Sequence, residues 1–164
     1  MNLLSILLIV TTLFCSLVAG FVFAFAVVVM PGMKTLEDKA FLQAFKAMDK
    51  IIQENQVLFV LVWLGSIVLL LILTIMSFGH LEGTQSLWIL ISCCIYILGV
   101  QLPTFIINVP LNNKLQRLEL ASATEKEMRG LRQAFESKWI PSNTFRTFMA
   151  VVTSVILMMI LLQF

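Results

Sequence analysis

The chain has 164 residues, of which 60% are hydrophobic and 12% are charged, and its mean hydropathy is +1.00. A soluble domain is about half apolar and about a quarter charged, so this composition excludes an ordinary soluble protein. We predict a single integral membrane domain over residues 1–164. The net charge is only +2, and nucleic acid is not an expected partner.

The first predicted element is a long apolar helix. No charged residue occurs between Leu3 and Met30. At about 1.5 Å per residue this run is roughly 42 Å long, more than the ~30 Å hydrocarbon core of a bilayer. It is too long for the hydrophobic region of a cleaved signal peptide, and no basic residue precedes it. We predict a membrane span over about 3–30, which ends at Pro31.

The interval from 34 to 56 predicts an amphipathic helix. It contains four lysines and four acids. Such a helix lies on the membrane surface or covers the end of a bundle. Asp49 belongs to this helix, where it either interacts with solvent or faces the bundle. The apolar residues that share one face of this helix are Phe41, Leu42, Phe45, Met48, Ile51 and Ile52.

Two further uncharged runs predict membrane spans over about 57–79 and 86–107. In the third span, Pro103 removes the helical hydrogen bond to the carbonyl of Gly99 and predicts a kink. Gln101 lies beside this kink, and an amide at membrane depth needs partners. Gln101 is therefore a candidate for a cavity wall, although a kink that a neighbouring helix satisfies explains it equally well.

The stretch Asn108-Val-Pro-Leu-Asn112-Asn-Lys-Leu115 follows the third span directly. Asn108 is a good N-cap, and the following proline fits the first turn of a new helix. We therefore predict a break between the third span and a surface helix. On that helix Asn108 and Asn112 are four residues apart, and their amides would share one face.

A charged region continues to Arg146. Overlapping capping boxes begin a helix near Thr124, and Pro141 is expected to end it. A fourth span over about 145–164 completes the chain. The predicted fold is all-α, a four-helix transmembrane bundle with two amphipathic helical intervals. The apolar residues on one face of the second interval are Met128, Leu131, Phe135 and Trp139.

The basic residues are distributed very unevenly. All 11 lie in the intervals 31–56 and 108–146, and none lies in the termini or in the turn at 79–85. The positive-inside rule predicts that both intervals are cytoplasmic and both termini lie outside. The longer interval is net positive, so membrane lipids with anionic headgroups are the expected partners.

Several kinds of site are not expected. His80 is the single histidine and lies in a turn with Glu82 nearby, which makes neither a metal site nor a catalytic triad. Cys15, Cys93 and Cys94 fall inside apolar spans, where free cysteine behaves as a small hydrophobe. The sequence has no glycine-rich phosphate loop. We therefore expect neither a metal nor another cofactor.

Four motifs occur together in this order: Val29-Met30-Pro31-Gly32, Phe45-Lys-Ala-Met48-Asp49, Asn108-Val-Pro-Leu-Asn112 and Trp139-Ile-Pro-Ser-Asn143-Thr-Phe-Arg146-Thr147. In a four-span chain of this size, they resemble the anthrone oxygenase-like family of bacterial and fungal membrane proteins. The resemblance covers most of the chain and implies a location in a bacterial inner membrane. One departure is Gln56 after Asn55, where family members often have proline.

The resemblance implies a cofactor-independent oxygenase that acts on a hydrophobic aromatic or lipophilic small molecule, because a few fungal members oxidise polyketide anthrones with O2. Most bacterial members have no assigned substrate. Such an enzyme needs an apolar slot, a base and a group that stabilises an oxyanion. The candidate catalytic residues are Asn112, Asn143, Arg146 and Asp49. The candidate substrate-binding residues are Asn108, Gln101 and Trp139.

The alternative is a non-catalytic integral membrane protein. Its polar cluster would be structural or would bind lipid, in a homo-oligomer or beside a partner. For Arg146 alone, a side chain that extends to lipid phosphate is an equally good explanation. With either function, we predict that Asn108 or Asn112 meets Asn143 or Arg146 at the cytoplasmic edge of the bundle.

Overall fold

The computed structural model describes residues 2–54, 56–81 and 83–163. Asn55, Glu82 and Phe164, which appear in the expectations above, lie outside these residues. The described residues form helices and no strand, which confirms the predicted all-α bundle. The helices are α1 (Leu3–Met33), α2 (Asp38–Gln53), α3 (Val57–His80), α4 (Gly83–Gln116) and α5 (Glu125–Leu161).

Four of these helices, α1, α3, α4 and α5, are long and apolar enough to cross a membrane. They form a ring in which α1 and α4 each pack against both α3 and α5. Large apolar side chains such as Ile75 and Phe148 remain exposed on the outside, which is expected where the surrounding solvent is hydrocarbon. The fully buried interior of the ring includes Leu8, Leu70, Ile89, Tyr96 and Leu157.

The amphipathic helix α2 covers one end of the ring. Its buried face contains Phe41, Leu42 and Phe45. They form one apolar cluster with Leu115 of α4 and Phe135 of α5. We predicted that this helix lies either on the membrane surface or over the end of the bundle, and the structure has it over the end of the bundle. Asp49 is on the buried face, so the packing of α2 carries an acid inside the protein.

Prolines lie inside the long helices. The first helix was expected to stop at Met30-Pro31-Gly32, and α1 ends at Met33. A new helix, capped by Asn108, was expected to begin at Pro110, but α4 continues through this position. A π-helical turn precedes each of Pro31, Pro103 and Pro110, where the residue before the proline donates its N–H to the carbonyl five residues earlier. The wider turn accommodates a ring that would clash in a regular α-helix.

The fifth helix also continues through a proline. The prediction that Pro141 ends the surface helix was wrong, because α5 runs for 37 residues across it. The predicted capping box is present at its start, with Thr124 and Glu127 as the paired residues. A proline inside a helix costs about 3 kcal/mol, and buried side chains on both sides of Pro141, including Trp139 and Asn143, hold the helix in place. Residues 125–161 therefore form one uninterrupted helix, and side chains before and after Pro141 keep the same helical spacing.

Candidate functional site

A cavity of about 210 Å³ lies where α2 covers the ring, and all five helices contribute to its wall. The wall is largely aromatic. Phe59 and Trp63 stack with their ring centroids 5.3 Å apart, and Phe45 meets Trp139 edge-on at 5.3 Å. Flat apolar surfaces of this kind bind flat apolar ligands. The aromatic residues that line the cavity are Phe21, Phe25, Phe45, Phe59, Trp63, Phe105 and Trp139.

Arg146 lines this cavity as a buried cation. Only 5% of its surface is exposed. Nη1 donates to Thr104 Oγ1 at 2.8 Å and Nη2 to Asn143 Oδ1 at 2.7 Å, and both acceptors are uncharged. The guanidinium carbon lies 5.9 Å from the centroid of the Trp139 ring, within range of a cation–π contact.

The charge of Arg146 is not neutralised by the protein. Within the part of the chain that the structure describes, no carboxylate oxygen lies within 4.0 Å of its guanidinium, and Nε has no hydrogen-bond partner. Burying an unpaired charge costs several kcal/mol. Arg146 therefore presents an unneutralised positive charge to the cavity.

Asn143 holds Arg146 in position from the same helix. The two residues are three apart on α5, so their side chains are neighbours on one face. While Asn143 Oδ1 accepts from Arg146, its Nδ2 donates to the carbonyl of Val22 on α1 at 3.1 Å. This carbonyl precedes the π-helical turn at Phe25–Val29, where the regular backbone pattern shifts by one residue. Asn143 thus links α1 to the guanidinium of Arg146.

Asp49 is the buried acid of the same cavity, with 5% of its surface exposed. Its Oδ1 accepts from Asn112 Nδ2 at 2.8 Å, and its Oδ2 accepts from Gln116 Nε2 at 2.8 Å and from Gln53 Nε2 at 2.7 Å. All three donors are uncharged amides. Asp49 therefore connects α2 to α4 and lines the cavity without forming a salt bridge to Arg146.

Residues of α4 and α5 pair in antiparallel order. Thr104 meets Arg146. One turn later, Asn108 Oδ1 accepts from Ser142 Oγ at 2.7 Å, and its Nδ2 lies 3.5 Å from the Trp139 carbonyl. One further turn along, Asn112 Oδ1 accepts from Trp139 Nε1 at 2.9 Å. We call these three pairs (Thr104–Arg146, Asn108–Ser142 and Asn112–Trp139) the polar ladder.

The polar ladder differs from the contacts predicted from the sequence. We expected Asn108 or Asn112 to meet Asn143 or Arg146 directly. All four line one cavity, but each asparagine of α4 pairs with a different residue of α5. The reason is that α4 stays helical through Asn108, which puts successive polar residues four apart on the face that packs against α5.

Gln101 lies one turn before Thr104 and is buried, but it does not line the cavity. Its Oε1 accepts from Trp63 Nε1 at 3.0 Å, and its Nε2 has no partner. Gln101 therefore joins α4 to α3 beside the cavity. The predicted role in binding a substrate stays a prediction.

A model of the anthrone oxygenase family matches residues 55–156, well over half of the chain. The chain belongs to the anthrone oxygenase family. The matched region contains the whole polar ladder, whereas Asp49 and the other cavity-lining residues of α1 and α2 precede it. No curated protein and no solved structure matches the chain.

Sequence reasoning missed part of the site. Thr104, Ser142 and Trp63 were not among the candidates, yet Thr104 binds the guanidinium, Ser142 binds Asn108 and Trp63 forms part of the aromatic wall. A pattern in the sequence could have identified Thr104. Thr104, Asn108, Asn112 and Gln116 recur every four residues, which indicates one polar face if the helix continues past Pro110.

Metal-binding side chains are not grouped in this structure. Across residues 2–54, 56–81 and 83–163, no three His, Cys, Asp or Glu side chains are placed to hold one ion. Cys15 and Cys93 are buried free thiols, and Cys94 is an exposed one. The polar groups of the side chains that line the cavity are five amides, one hydroxyl, two indole N–H groups, one carboxylate and one guanidinium.

Proposed function

We propose that this protein binds a flat, hydrophobic aromatic molecule in the cavity and oxidises it with O2 without a metal or organic cofactor. The observation that carries the proposal is the composition of one cavity wall. It combines aromatic rings with a guanidinium that has no counterion, Arg146, and a buried carboxylate, Asp49. Membership of the anthrone oxygenase family supports the reaction class.

The size of the cavity favours a small ring system. An apolar protein cavity of about 150 Å³ holds one benzene molecule, and this cavity measures about 210 Å³. Two fused rings fill it, and a third ring would extend to the edge beside Phe105, which also lines the cavity and is exposed. An anthrone has three fused rings and matches this description.

Asp49 and Arg146 have different roles in the proposed reaction. An anthrone carries an acidic methylene opposite its carbonyl, and removal of one methylene proton makes the carbonyl oxygen an enolate. Asp49 is the proposed base. Arg146, which Asn143 positions, is the proposed partner of the enolate oxygen, because a preorganised donor in a dry site stabilises charge that develops there.

The substrate itself supplies the electrons. The enolate transfers one electron to O2, and the two radicals combine into a peroxide at the former methylene carbon. The proton held by Asp49 returns to the peroxide. Loss of water from the hydroperoxide forms the second carbonyl, so one anthrone and one O2 give one anthraquinone and one water. No other reductant or oxidant is required.

The non-catalytic alternative is supported by a different observation. Asn108 and Asn112 use their amides to join α4 to α5 and α2, which is a structural role. In that alternative the cavity would hold a lipid, and Arg146 would bind its phosphate. The aromatic wall and the buried Asp49 favour the enzyme, since flat rings suit a flat aromatic ligand and a carboxylate beside the cavity disfavours a lipid phosphate.

The test measures anthrone oxidation by the protein in phospholipid nanodiscs, with O2 uptake and anthraquinone formation followed together. We expect Asp49→Asn to lower the rate by about 100-fold. The matched control is Glu54→Gln, since Glu54 is an exposed acid at the end of the same helix, and its rate should equal that of the wild type.

Two outcomes would decide against the enzyme. If wild-type protein oxidises anthrone no faster than empty nanodiscs, the oxygenase proposal fails for this substrate class. Mass spectrometry of lipophiles that co-purify with the protein then tests the alternative, because a phospholipid bound with the wild type and lost with Arg146→Met would identify a lipid site.

A further inference from the structure

We propose that the aromatic ligand enters this cavity sideways from the bilayer, through an opening between α3 and α4. The inference rests on the proposed binding of a lipophile in the cavity, and it does not depend on oxidation. Three features of the wall carry it: the exposed apolar residues at the cavity edge, the divergence of two helices, and the hydrogen bonds that close the cavity between α2 and α4.

Two residues of α4 belong both to the cavity and to the outer surface. Phe105 and Val109 line the cavity, yet 55% and 37% of their surfaces are exposed. They are one turn apart on α4, and Phe59 of α3 lines the same cavity. Leu58 and Ile106, the neighbours in sequence, are exposed apolar residues. The edge of the cavity is thus built from side chains that contact hydrocarbon in a membrane.

The opening exists because α3 and α4 separate along their length. The first part of α4, up to Tyr96, packs against α3, whereas the part from 97 to 116 packs mainly against α5 and α2. Two π-helical turns, before Pro103 and Pro110, lie in this second part, and such turns are among the usual causes of a bend in a helix. Within the described ranges, the hydrogen bond that ties it to α3 is Trp63–Gln101, on the turn of α4 before Phe105.

The edge of the cavity between α2 and α4 is closed by polar contacts. Gln53 and Asn113 are exposed residues of the cavity wall. Gln53 Nε2 donates both to Asp49 and to Asn113 Oδ1, the latter at 3.1 Å, so one amide spans α2 and α4. Gln116 Nε2 also donates to the Lys46 carbonyl at 2.9 Å. A ligand from water would have to break these contacts, while a ligand from lipid displaces only apolar contacts.

This route specifies the charge of the ligand. An apolar opening at membrane depth admits neutral molecules, because a charged group is costly there. The ligand therefore enters neutral and acquires its negative oxygen inside, next to Arg146. A permanently charged analogue would fit the guanidinium but would be excluded at the opening.

The experiment measures entry rates in phosphatidylcholine nanodiscs, without O2 consumption as a readout. Neutral anthraquinone is the probe, and quenching of Trp63 and Trp139, which line the cavity, reports its arrival in a stopped-flow instrument. All proteins carry Trp88→Phe, because Trp88 is exposed outside the cavity. Val109→Phe narrows the opening. Ile106→Phe is the matched control, since Ile106 is exposed on the same helix but does not line the cavity.

We expect Val109→Phe to slow association and dissociation together by about tenfold, with Kd changed by less than about threefold. Ile106→Phe should have the wild-type rates. Anthraquinone-2-sulfonate should bind far more slowly than anthraquinone, and Asn113→Ala, which removes the contact with Gln53 on the water side, should not speed its binding.

The proposal is overturned if Val109→Phe associates with anthraquinone as fast as the wild type, whatever its dissociation rate, or if Asn113→Ala accelerates binding. It is also overturned if the sulfonate enters as fast as neutral anthraquinone. These results are separate from the fate of the oxygenase proposal. A protein that binds anthraquinone at lipid-dependent rates but never oxidises anthrone would retain the lateral opening and lose the enzymatic function. If anthraquinone does not quench the fluorescence of the wild-type protein, the ligand site itself is absent. Both the lateral opening and the oxygenase proposal are then rejected.

Discussion

Replacing Arg146 with methionine removes a buried charge while keeping a long, flexible side chain in its place. The change breaks the hydrogen bonds to Thr104 and Asn143. Such bonds contribute about 0.6 kcal/mol each in membrane proteins, and at most about 1.7 kcal/mol, so the loss is roughly 1–3 kcal/mol. The substitution also removes the cost of holding a guanidinium without a carboxylate partner, which is several kcal/mol.

These two contributions lead to an unusual expectation. Arg146→Met should unfold no more easily than the wild type, and it should oxidise anthrone about 100-fold more slowly, since the oxyanion loses its partner. Arg146→Lys keeps the buried charge but loses the planar fork, so it should be both less stable than Arg146→Met and inactive. Unfolding in mixed micelles, followed by tryptophan fluorescence, gives the order of stability, and the nanodisc assay gives the rates.

Arg129→Met removes an exposed cation from the same helix and should change neither property. The reasoning is refuted if Arg146→Met lowers the free energy of unfolding by more than about 3 kcal/mol while Arg146→Lys restores stability and activity. Arg146 would then be a structural cation that any positive charge replaces.

Three further predictions follow from the geometry. Asn112→Ala should lower the free energy of unfolding by about 1–2 kcal/mol, because both Trp139 and Asp49 lose a hydrogen bond; mixed-micelle unfolding measures it. Gly99→Ala places a Cβ 2.6 Å from the side chain of Met149 and should cost about 1–3 kcal/mol, whereas Gly20→Ala, with nothing within 4 Å, should not destabilise. A cysteine at Glu125 should react with an impermeant maleimide only after the cells are opened, because all 11 basic residues lie in the two intervals predicted to be cytoplasmic; labelling in intact cells would contradict this orientation.

The number and positions of the apolar helices were readable from the sequence because lipid imposes a local rule. A backbone in hydrocarbon must satisfy its own hydrogen bonds, so each uncharged run of sufficient length forms a helix regardless of its partners. The same holds for the amphipathic α2, since the spacing of Phe41, Leu42 and Phe45 is a property of that segment alone.

The ends of the helices were predicted less accurately than the helices themselves. The predictions assumed that the cost of a proline inside a helix is enough to end that helix. Pro110 and Pro141 were expected to interrupt helices, and each lies inside one, whereas α1 does end close to Pro31, at Met33. Three prolines, including Pro103, are accommodated by a preceding π-helical turn. Packing on neighbouring helices offsets the remaining cost, and single-sequence reasoning contains no information about that packing.

The sequence by itself determined which residues were available for a site: a chain of amides at Asn108 and Asn112, a motif with Asn143 and Arg146, and an acid, Asp49, on an amphipathic face. Only the tertiary structure decided their partners. Asp49 meets Asn112 across 63 positions of sequence, and Arg146 meets Thr104 across 42. Such pairings depend on how α2, α4 and α5 pack in three dimensions, and so does the cavity between them, because an empty space is a property of the arrangement and not of any segment.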